Sequence, residues 1–85
     1  MINVVINLVQ SFNLADGIAN SLDVKLQAAK NALAVSNAND VTTACNQIGA
    51  FIAAVQSQSG KMLTVDQANQ LIAAANQVKA VLGCP

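Results

Sequence analysis

Apolar residues recur every three or four positions through most of the chain, and short polar segments interrupt this pattern in three places. Because a helix turns once every 3.6 residues, this spacing collects the apolar side chains on one helical face. The pattern predicts four helices, at about residues 2–14, 18–35, 40–57 and 65–82. The connections between them are short, which favours antiparallel neighbours. We therefore expect residues 1–85 to form a single all-α domain, an antiparallel up-down four-helix arrangement that is bundle-like.

Signals for helix ends are clearest in the second half of the chain. Thr64 and Gln67 have the spacing of a capping box at the start of the fourth helix. Gly60 and Gly83 follow the third and fourth helices and suit the left-handed conformation that often ends a helix. Gly49 lies inside the third helix, where glycine costs up to about 1 kcal/mol relative to alanine. A close approach by a neighbouring helix would explain this glycine, so we expect one there.

The core is expected on the inward stripes of the helices, where alanine supplies much of the apolar surface. Alanine favours helix and buries little area, so the helices should pack closely. Phe51 is expected to be central, since it stands in mid-helix and the chain holds only two aromatic residues. The larger residues expected in the core are Phe12, Leu22, Leu26, Ile48, Phe51, Ile52, Val55, Leu71, Ile72 and Val78.

Charge is sparse and balanced, because four lysines face four aspartates and the chain has no arginine, glutamate or histidine. Asparagine and glutamine make the polar surface rich in amides. A neutral chain without arginine lacks the positive patch that nucleic acids and anionic membranes attract. No apolar run has the length of a membrane-spanning helix. We therefore expect neither nucleic-acid binding nor membrane insertion.

The acidic residues suit helix capping better than catalysis. Asp16, Asp40 and Asp66 each lie at or just before a predicted helix start, where a negative charge interacts favourably with the helix dipole. Asp23 lies in mid-helix near Lys25, and we expect its carboxylate to be solvated. No two acids have the spacing that acid–base catalysis needs, and no histidine is present to activate a serine or cysteine. The chain is therefore not expected to be an enzyme.

Metal and cofactor sites are not expected either. Asn37, Asn39 and Asp40 cluster in a predicted loop, but they lack the acidic density and the closing glutamate of a calcium loop. Neither cysteine belongs to a CxxC motif, and no histidine completes a zinc site. No glycine-rich loop is present to hold a nucleotide.

The two cysteines, Cys45 and Cys84, come near the start of the third helix and just after the end of the fourth. In an antiparallel hairpin these two ends are neighbours, so the leading expectation is a structural disulfide. Two inert thiols, or a redox or metal role, are the alternatives. A disulfide would persist in an oxidising compartment, which favours a secreted or cell-surface location.

Ser21 offers a different interpretation. The segment Asn20-Ser21-Leu22-Asp23 resembles the motif around the modified serine of acyl carrier proteins, which are also small four-helix domains. Here the serine comes early in the chain, the residue before it is asparagine, and the net charge is zero. A further alternative is a lipid- or membrane-binding helical protein. The high apolar content favours that alternative, but the four scattered lysines do not form the basic face it needs.

Two segments carry residues that match one helical family. The first segment holds Ile18-Ala19-Asn20-Ser21-Leu22, Lys25, Leu26 and Ala29, and the second holds Phe51, Ile52, Val55, Gln56, the pattern QSGKxLT at 58–64, Gln67, Ala68, Leu71 and Ile72. Together they resemble the FIMAH domain, over about residues 8–82. The resemblance implies a helical accessory domain, typically near the C-terminus of a long secreted or surface-attached bacterial or archaeal protein. It brings no activity and no functional residues with it, and the short connection between the first two helices departs from the family pattern.

The sequence therefore favours a non-catalytic structural or protein-interaction accessory module of a secreted or cell-surface multidomain protein. We expect its partner to be another domain of the same protein or a separate protein, and the chain itself to be a monomer or a weak oligomer. The scarcity of aromatic residues argues against stacking on carbohydrate. The alternatives are the acyl-carrier-like domain that uses Ser21 and the lipid- or membrane-binding protein.

Overall fold

A computed structural model describes residues 2–33 and 38–84 of the chain. Within these residues the protein contains four helices and no strand, which confirms the predicted all-α fold. The helices are α1 (Ile2–Ser11), α2 (Asp16–Leu33), α3 (Ala38–Gln58) and α4 (Val65–Leu82). Consecutive helices pack against each other and α1 also packs against α4, so the four helices close into a ring. This is the predicted up-down, bundle-like arrangement.

The four helices differ in length, and α1 is much the shortest. Its 10 residues span about 15 Å at 1.5 Å per residue, whereas the 21 residues of α3 span about 32 Å. The molecule measures 36 × 22 × 18 Å along its principal axes, so α3 runs most of the long dimension. Because α1 covers only part of that length, it closes the ring at one level of the bundle and leaves the rest to the other three helices.

The core runs along the centre of this ring and is made of aliphatic residues around one phenylalanine. Of the residues expected there, the buried ones are Leu22, Leu26, Ile48, Phe51, Val55, Leu71 and Val78. Phe12, Ile52 and Ile72 pack against the core but keep part of their surface exposed. In α1 the buried residues are Ile2, Val5, Ile6 and Val9, which follow helical spacing. Alanines at Ala29, Ala44, Ala68 and Ala75 are also fully buried, as close helix packing requires.

The first helix ends three residues earlier than predicted, at Ser11 instead of Leu14. The N–H groups of Phe12 and Asn13 donate to carbonyls only three residues back, which tightens the last turn. Asn13 then adopts a left-handed conformation with φ of 50°, which asparagine tolerates better than most residues. The apolar spacing that carries the prediction to Leu14 continues past the point where the backbone turns, which explains the error.

The second helix begins at Asp16, two residues before the predicted start at Ile18. The N–H group of Ala19 donates to the carbonyl of Ala15, so Ala15 occupies the capping position. Gly17 then lies in the first turn of the helix instead of in a loop, and its backbone is accommodated there without a close neighbour. The connection between α1 and α2 is therefore residues 12–15, which begins earlier than the predicted break at 15–17 and is one residue longer.

The third helix also begins two residues early, at Ala38 instead of Asp40. Residues 34–37, which include the predicted end of the second helix and half of the predicted loop, lie outside the described residues. The side chains of the possible calcium ligands Asn37, Asn39 and Asp40 also lie outside the part of the chain that the structure describes.

The prediction of a close helix approach at Gly49 is wrong. A methyl group built on Gly49 would meet no atom of a neighbouring element within 4 Å. The glycine lies on a partly exposed face of α3, so close packing does not explain it. The other glycine predictions are confirmed, because Gly60 and Gly83 have φ of 76° and 72° respectively, in the left-handed region.

Candidate interaction surface

An apolar groove lies between the first turns of α1 and the second half of α4. It encloses about 150 Å³ and is open to solvent on one side. Its walls are formed by Val4, Val5, Ala74, Gln77, Val78 and Val81. A volume of this size holds one group about as large as benzene.

The helical repeat explains how the sequence builds this groove. On α4, Ala74, Val78 and Val81 follow one another at helical spacing and share the face that is turned to α1. Val78 is buried and forms the floor, while Val81 is 71% exposed at the rim. The alanine at 74 is small, so it leaves room that a larger side chain would fill.

The opposite wall, on α1, likewise combines a buried valine with an exposed one. Val5 is almost fully buried in the core, and its neighbour Val4 is 63% exposed. The groove therefore has a buried floor and an exposed aliphatic rim. Because each valine of the rim costs free energy while water covers it, covering both with another apolar group is favourable.

The chemistry of the groove is limited to apolar contact and one amide. Gln77 is its only polar side chain, and no lining residue is charged or titratable. Such a groove cannot hold an anion, activate a nucleophile or transfer a proton. It is suited to an aliphatic side chain, with Gln77 able to form a hydrogen bond at the edge.

Other exposed apolar residues do not share this groove. Val24 is 66% exposed on α2, and Met62 and Val65 are exposed around the turn between α3 and α4. Val24 matches Val81 in residue type and exposure but does not line the groove, so it provides a control position. The helical stripe predicts Val78 as a core residue, and it does not indicate Val4 and Val81 as site residues. The signal that would have found these two is an apolar residue off the inward stripe of its helix, on each of two helices.

The disulfide lies at the end of α4 and joins this helix to α3. The sulfur atoms of Cys45 and Cys84 are 2.08 Å apart, and their Cα atoms are 5.7 Å apart. Gly83 turns the chain back, and the N–H group of Cys84 then donates to the carbonyl of Lys79. This fold-back brings Cys84 to the level of Cys45, as expected for the antiparallel hairpin.

The sequence QSGKMLT at residues 58–64 forms the turn of this hairpin. Gly60 takes the left-handed conformation and its N–H group donates to the carbonyl of Leu63. Leu63 is buried, and Thr64 caps α4 by accepting a hydrogen bond from the N–H group of Gln67 at 3.1 Å. The side chain of Gln67 accepts one from the N–H group of Thr64 in return, which confirms the capping box. The most specific residues of the FIMAH-like segment therefore have a structural role, since they form this turn and cap α4.

Ser21 lies on the exposed surface of α2. Lys25 donates a hydrogen bond to its hydroxyl oxygen at 3.3 Å. In the acyl-carrier pattern the modified serine begins a helix, whereas here α2 begins at Asp16 and Ser21 is in its second turn. The position of Ser21 in the helix therefore differs from that pattern.

Asp23 differs from its expectation as a solvated residue. One of its carboxylate oxygens is shielded from solvent and has no hydrogen-bond partner, although the residue as a whole is partly exposed. An unpaired buried acceptor is unfavourable for folding. The sequence indicates a solvated carboxylate at this position, but in the folded chain the shielded oxygen slightly lowers the free energy of unfolding.

Metal and membrane features can be stated for the described residues. Among the described side chains within residues 2–33 and 38–84, no group of three histidine, cysteine, aspartate or glutamate residues is placed to hold a metal ion. Over the same residues, no helix combines the length and apolar character needed to cross a membrane.

Comparisons of this chain with models of protein families, with curated proteins and with solved structures find no match. The FIMAH resemblance therefore rests on the residues quoted above and stays a prediction.

Proposed function

We propose that this chain is a non-catalytic interaction module of a secreted or cell-surface multidomain protein. In this proposal the groove between α1 and α4 receives an apolar side chain from a protein partner or from another domain of the same protein. The observation that carries the proposal is the pair of exposed valines, Val4 and Val81, at the rim of one groove.

The chemistry of the groove selects a protein partner over other classes. A nucleic acid or anionic lipid headgroup would need cations, and a sugar would be recognised by several hydrogen-bond donors and an aromatic platform. The groove offers only aliphatic groups and the amide of Gln77. An aliphatic side chain next to a backbone or amide group matches both features.

The size of the groove predicts a weak contact unless other surfaces join in. Stable protein interfaces bury at least about 1,000 Å² in total, which is far more than one side chain in this groove supplies. The amide-rich outer faces of α1 and α4 would have to contribute the rest. A partner tethered in the same polypeptide would raise the effective concentration, so a weak contact would suffice.

The disulfide supports a location outside the reducing cytosol, because such bonds persist in oxidising compartments. The same reasoning fits the accessory domains of secreted or surface-attached proteins that the FIMAH-like residues suggest. Both arguments concern location and domain type, and neither identifies the partner.

Site-specific photo-crosslinking in the cells that make the protein tests this proposal. A benzophenone amino acid replaces Val81 in one variant and Val24 in the matched control, since the two valines are similarly exposed. We expect position 81 to crosslink to one defined polypeptide, or to another part of its own chain, and position 24 not to do so. Where the crosslink joins a separate polypeptide, excess unlabelled wild-type chain should compete it, and excess Val4→Asp/Val81→Asp chain should not.

Equal crosslinking at positions 81 and 24, or competition by both unlabelled chains, would contradict the proposal. The alternative functions give different outcomes with purified protein. Co-sedimentation with neutral lipid vesicles, lost in the Val4→Asp/Val81→Asp variant, would point to lipid binding. A mass increase at Ser21 after incubation with a phosphopantetheinyl transferase and coenzyme A would point to a carrier domain.

A further inference from the structure

We propose that the Cys45–Cys84 disulfide is a reducible latch that holds the α4 wall of the groove. Reduction by a dithiol would release the last turn of α4 and loosen the groove, while the rest of the bundle stays folded. The biological meaning of the latch rests on the proposed function of the groove. The conformational change itself does not depend on any partner and can be measured alone.

The last turn of α4 has little packing of its own. Val78 is the final fully buried residue of the helix, and beyond it only Leu82 packs against the core, where it is partly buried. Ala80 and Val81 are exposed. The covalent bond from Cys84 to Cys45 therefore carries much of the attachment of this turn to α3.

The hydrogen bonds at the end of α4 do not replace that attachment. The N–H groups of Gly83 and Cys84 donate to the carbonyls of Ala80 and Lys79, so both bonds stay within α4. They keep the turn helical while it is held in place, but they do not tie it to another helix. Helix ends without such ties fray readily.

The turn held by the disulfide also contributes Val81 to the α4 wall of the groove. Val81 precedes Cys84 by three residues, and Gly83 turns the chain back between them. It is 71% exposed and is not fixed by packing, so its distance from Val4 depends on how the turn is held. Release of Cys84 would let the rim formed by Val81 move away from the rim formed by Val4.

Both cysteines are partly exposed, so a reductant can reach the bond. A thiolate of the dithiol attacks one cysteine sulfur, the Cys45–Cys84 bond breaks, and a mixed disulfide forms. The second thiol of the reductant then displaces that cysteine. Two electrons and two protons pass to the protein, which ends with two thiols, and the reductant ends as a disulfide.

The remainder of the bundle has separate support. Phe51 and Leu71 are fully buried on α3 and α4, ahead of the last turn. The capping box at Thr64 and the turn at Gly60 hold the other end of the hairpin. We therefore expect the loosening to be confined to about residues 79–84 and the groove.

Nuclear magnetic resonance of the isotope-labelled chain, before and after addition of dithiothreitol, tests the latch. We expect the backbone shifts of residues 79–84 to move at least halfway to random-coil values, and the methyl signals of Val4 and Val81 to shift. The methyl signals around Phe51 should stay dispersed. The Cys45→Ser/Cys84→Ser variant should match the reduced wild-type chain and should not respond to dithiothreitol.

Unchanged shifts at residues 79–84 after full reduction would overturn the latch, and so would loss of dispersion throughout the spectrum. The crosslink at position 81 separates this proposal from the proposed function. If the latch exists, reduction should lower the crosslink at position 81 several-fold in the chain that keeps Cys45 and Cys84. It should not change the crosslink in a chain that also carries Cys45→Ser/Cys84→Ser. A chain that shows the conformational change but never crosslinks at position 81 would support the latch and overturn the function proposed for the groove.

Discussion

The hairpin of α3 and α4 and the short helix α1 are held in the bundle by different means. The hairpin has a capping box at Thr64, left-handed glycines at Gly60 and Gly83, and a disulfide across its open end. It also contains Phe51, the largest fully buried side chain. Helix α1 has 10 residues, is followed by Asn13 in the left-handed conformation, and has no covalent tie within the described residues.

This difference shows where the bundle depends on local sequence and where it depends on packing. A helix of ten residues that is rich in valine and isoleucine is marginal by itself. It persists because Ile2, Val5, Ile6 and Val9 are buried among the other helices. The groove lies at the contact between the two kinds of structure, with one wall on α1 and one on the hairpin. We therefore expect the α1 wall to be the more adjustable of the two.

The largest expected effect comes from removing the centre of the hairpin. Phe51→Ala leaves a cavity and should lower the free energy of unfolding by roughly 3–5 kcal/mol. Phe12→Ala, at a partly buried residue beyond the end of α1, should cost clearly less. Urea unfolding followed by circular dichroism measures both. Equal losses for the two variants would break the distinction between the hairpin and α1.

Loss of the disulfide should come next. The bond joins residues 39 apart in sequence, and a loop of that length is worth about 4 kcal/mol in the chain-entropy model. Cys45→Ser/Cys84→Ser should lower the unfolding free energy by about this amount, and wild-type protein in reductant should behave the same way. If neither change lowers the urea midpoint, the hairpin does not depend on its covalent tie.

The capping box should have a smaller effect. Thr64→Ala removes the acceptor of the Gln67 N–H group and should cost about 1 kcal/mol. Thr64→Ser keeps a hydroxyl at the cap and should retain most of that stability. A melting temperature that falls equally for both variants would mean that the methyl group of Thr64, and not the cap, supports α4.

Gly49 should allow the hairpin to be strengthened. Gly49→Ala meets no neighbour within 4 Å and should raise the unfolding free energy by about 0.5–1 kcal/mol, since alanine favours helix more than glycine does. Gly60→Ala is the matched control and should instead lower stability, because its φ of 76° strains a residue with a side chain. Loss of stability in Gly49→Ala would show that something approaches α3 at this point in solution.

Much of the hairpin could be predicted from the sequence because its determinants are local. The capping box lies within four residues, the turn glycine comes two residues after the end of α3, and helical counting brings Cys45 and Cys84 to the same end. The early end of α1 and the environment of Gly49 could not be read in this way. The first depends on where the chain must turn to pack α2, and the second on which helix faces leave space.

At the candidate site, too, local sequence predicts only part of the arrangement. Val4 and Val5 are neighbours in sequence and identical in type, yet one is exposed and the other is buried. Val78 and Val81 differ in the same way on α4. Helical spacing separates the members of each pair, since Val5 and Val78 lie on the inward stripes of their helices and Val4 and Val81 do not. It does not show that Val4 and Val81 border one groove, because that is set by the direction in which α1 lies against α4.

The sequence by itself determined that this chain is helical, where its last helix begins and ends, and which cysteines can meet. These features follow from side-chain spacing and from hydrogen bonds between residues close together in the chain. The tertiary structure alone decided that α1 stops at Ser11, that an oxygen of Asp23 is shielded without a partner, and that Val4 and Val81 border one groove. Each of these depends on contacts between separate helices, whose relative rotation is set by the packing of the whole core.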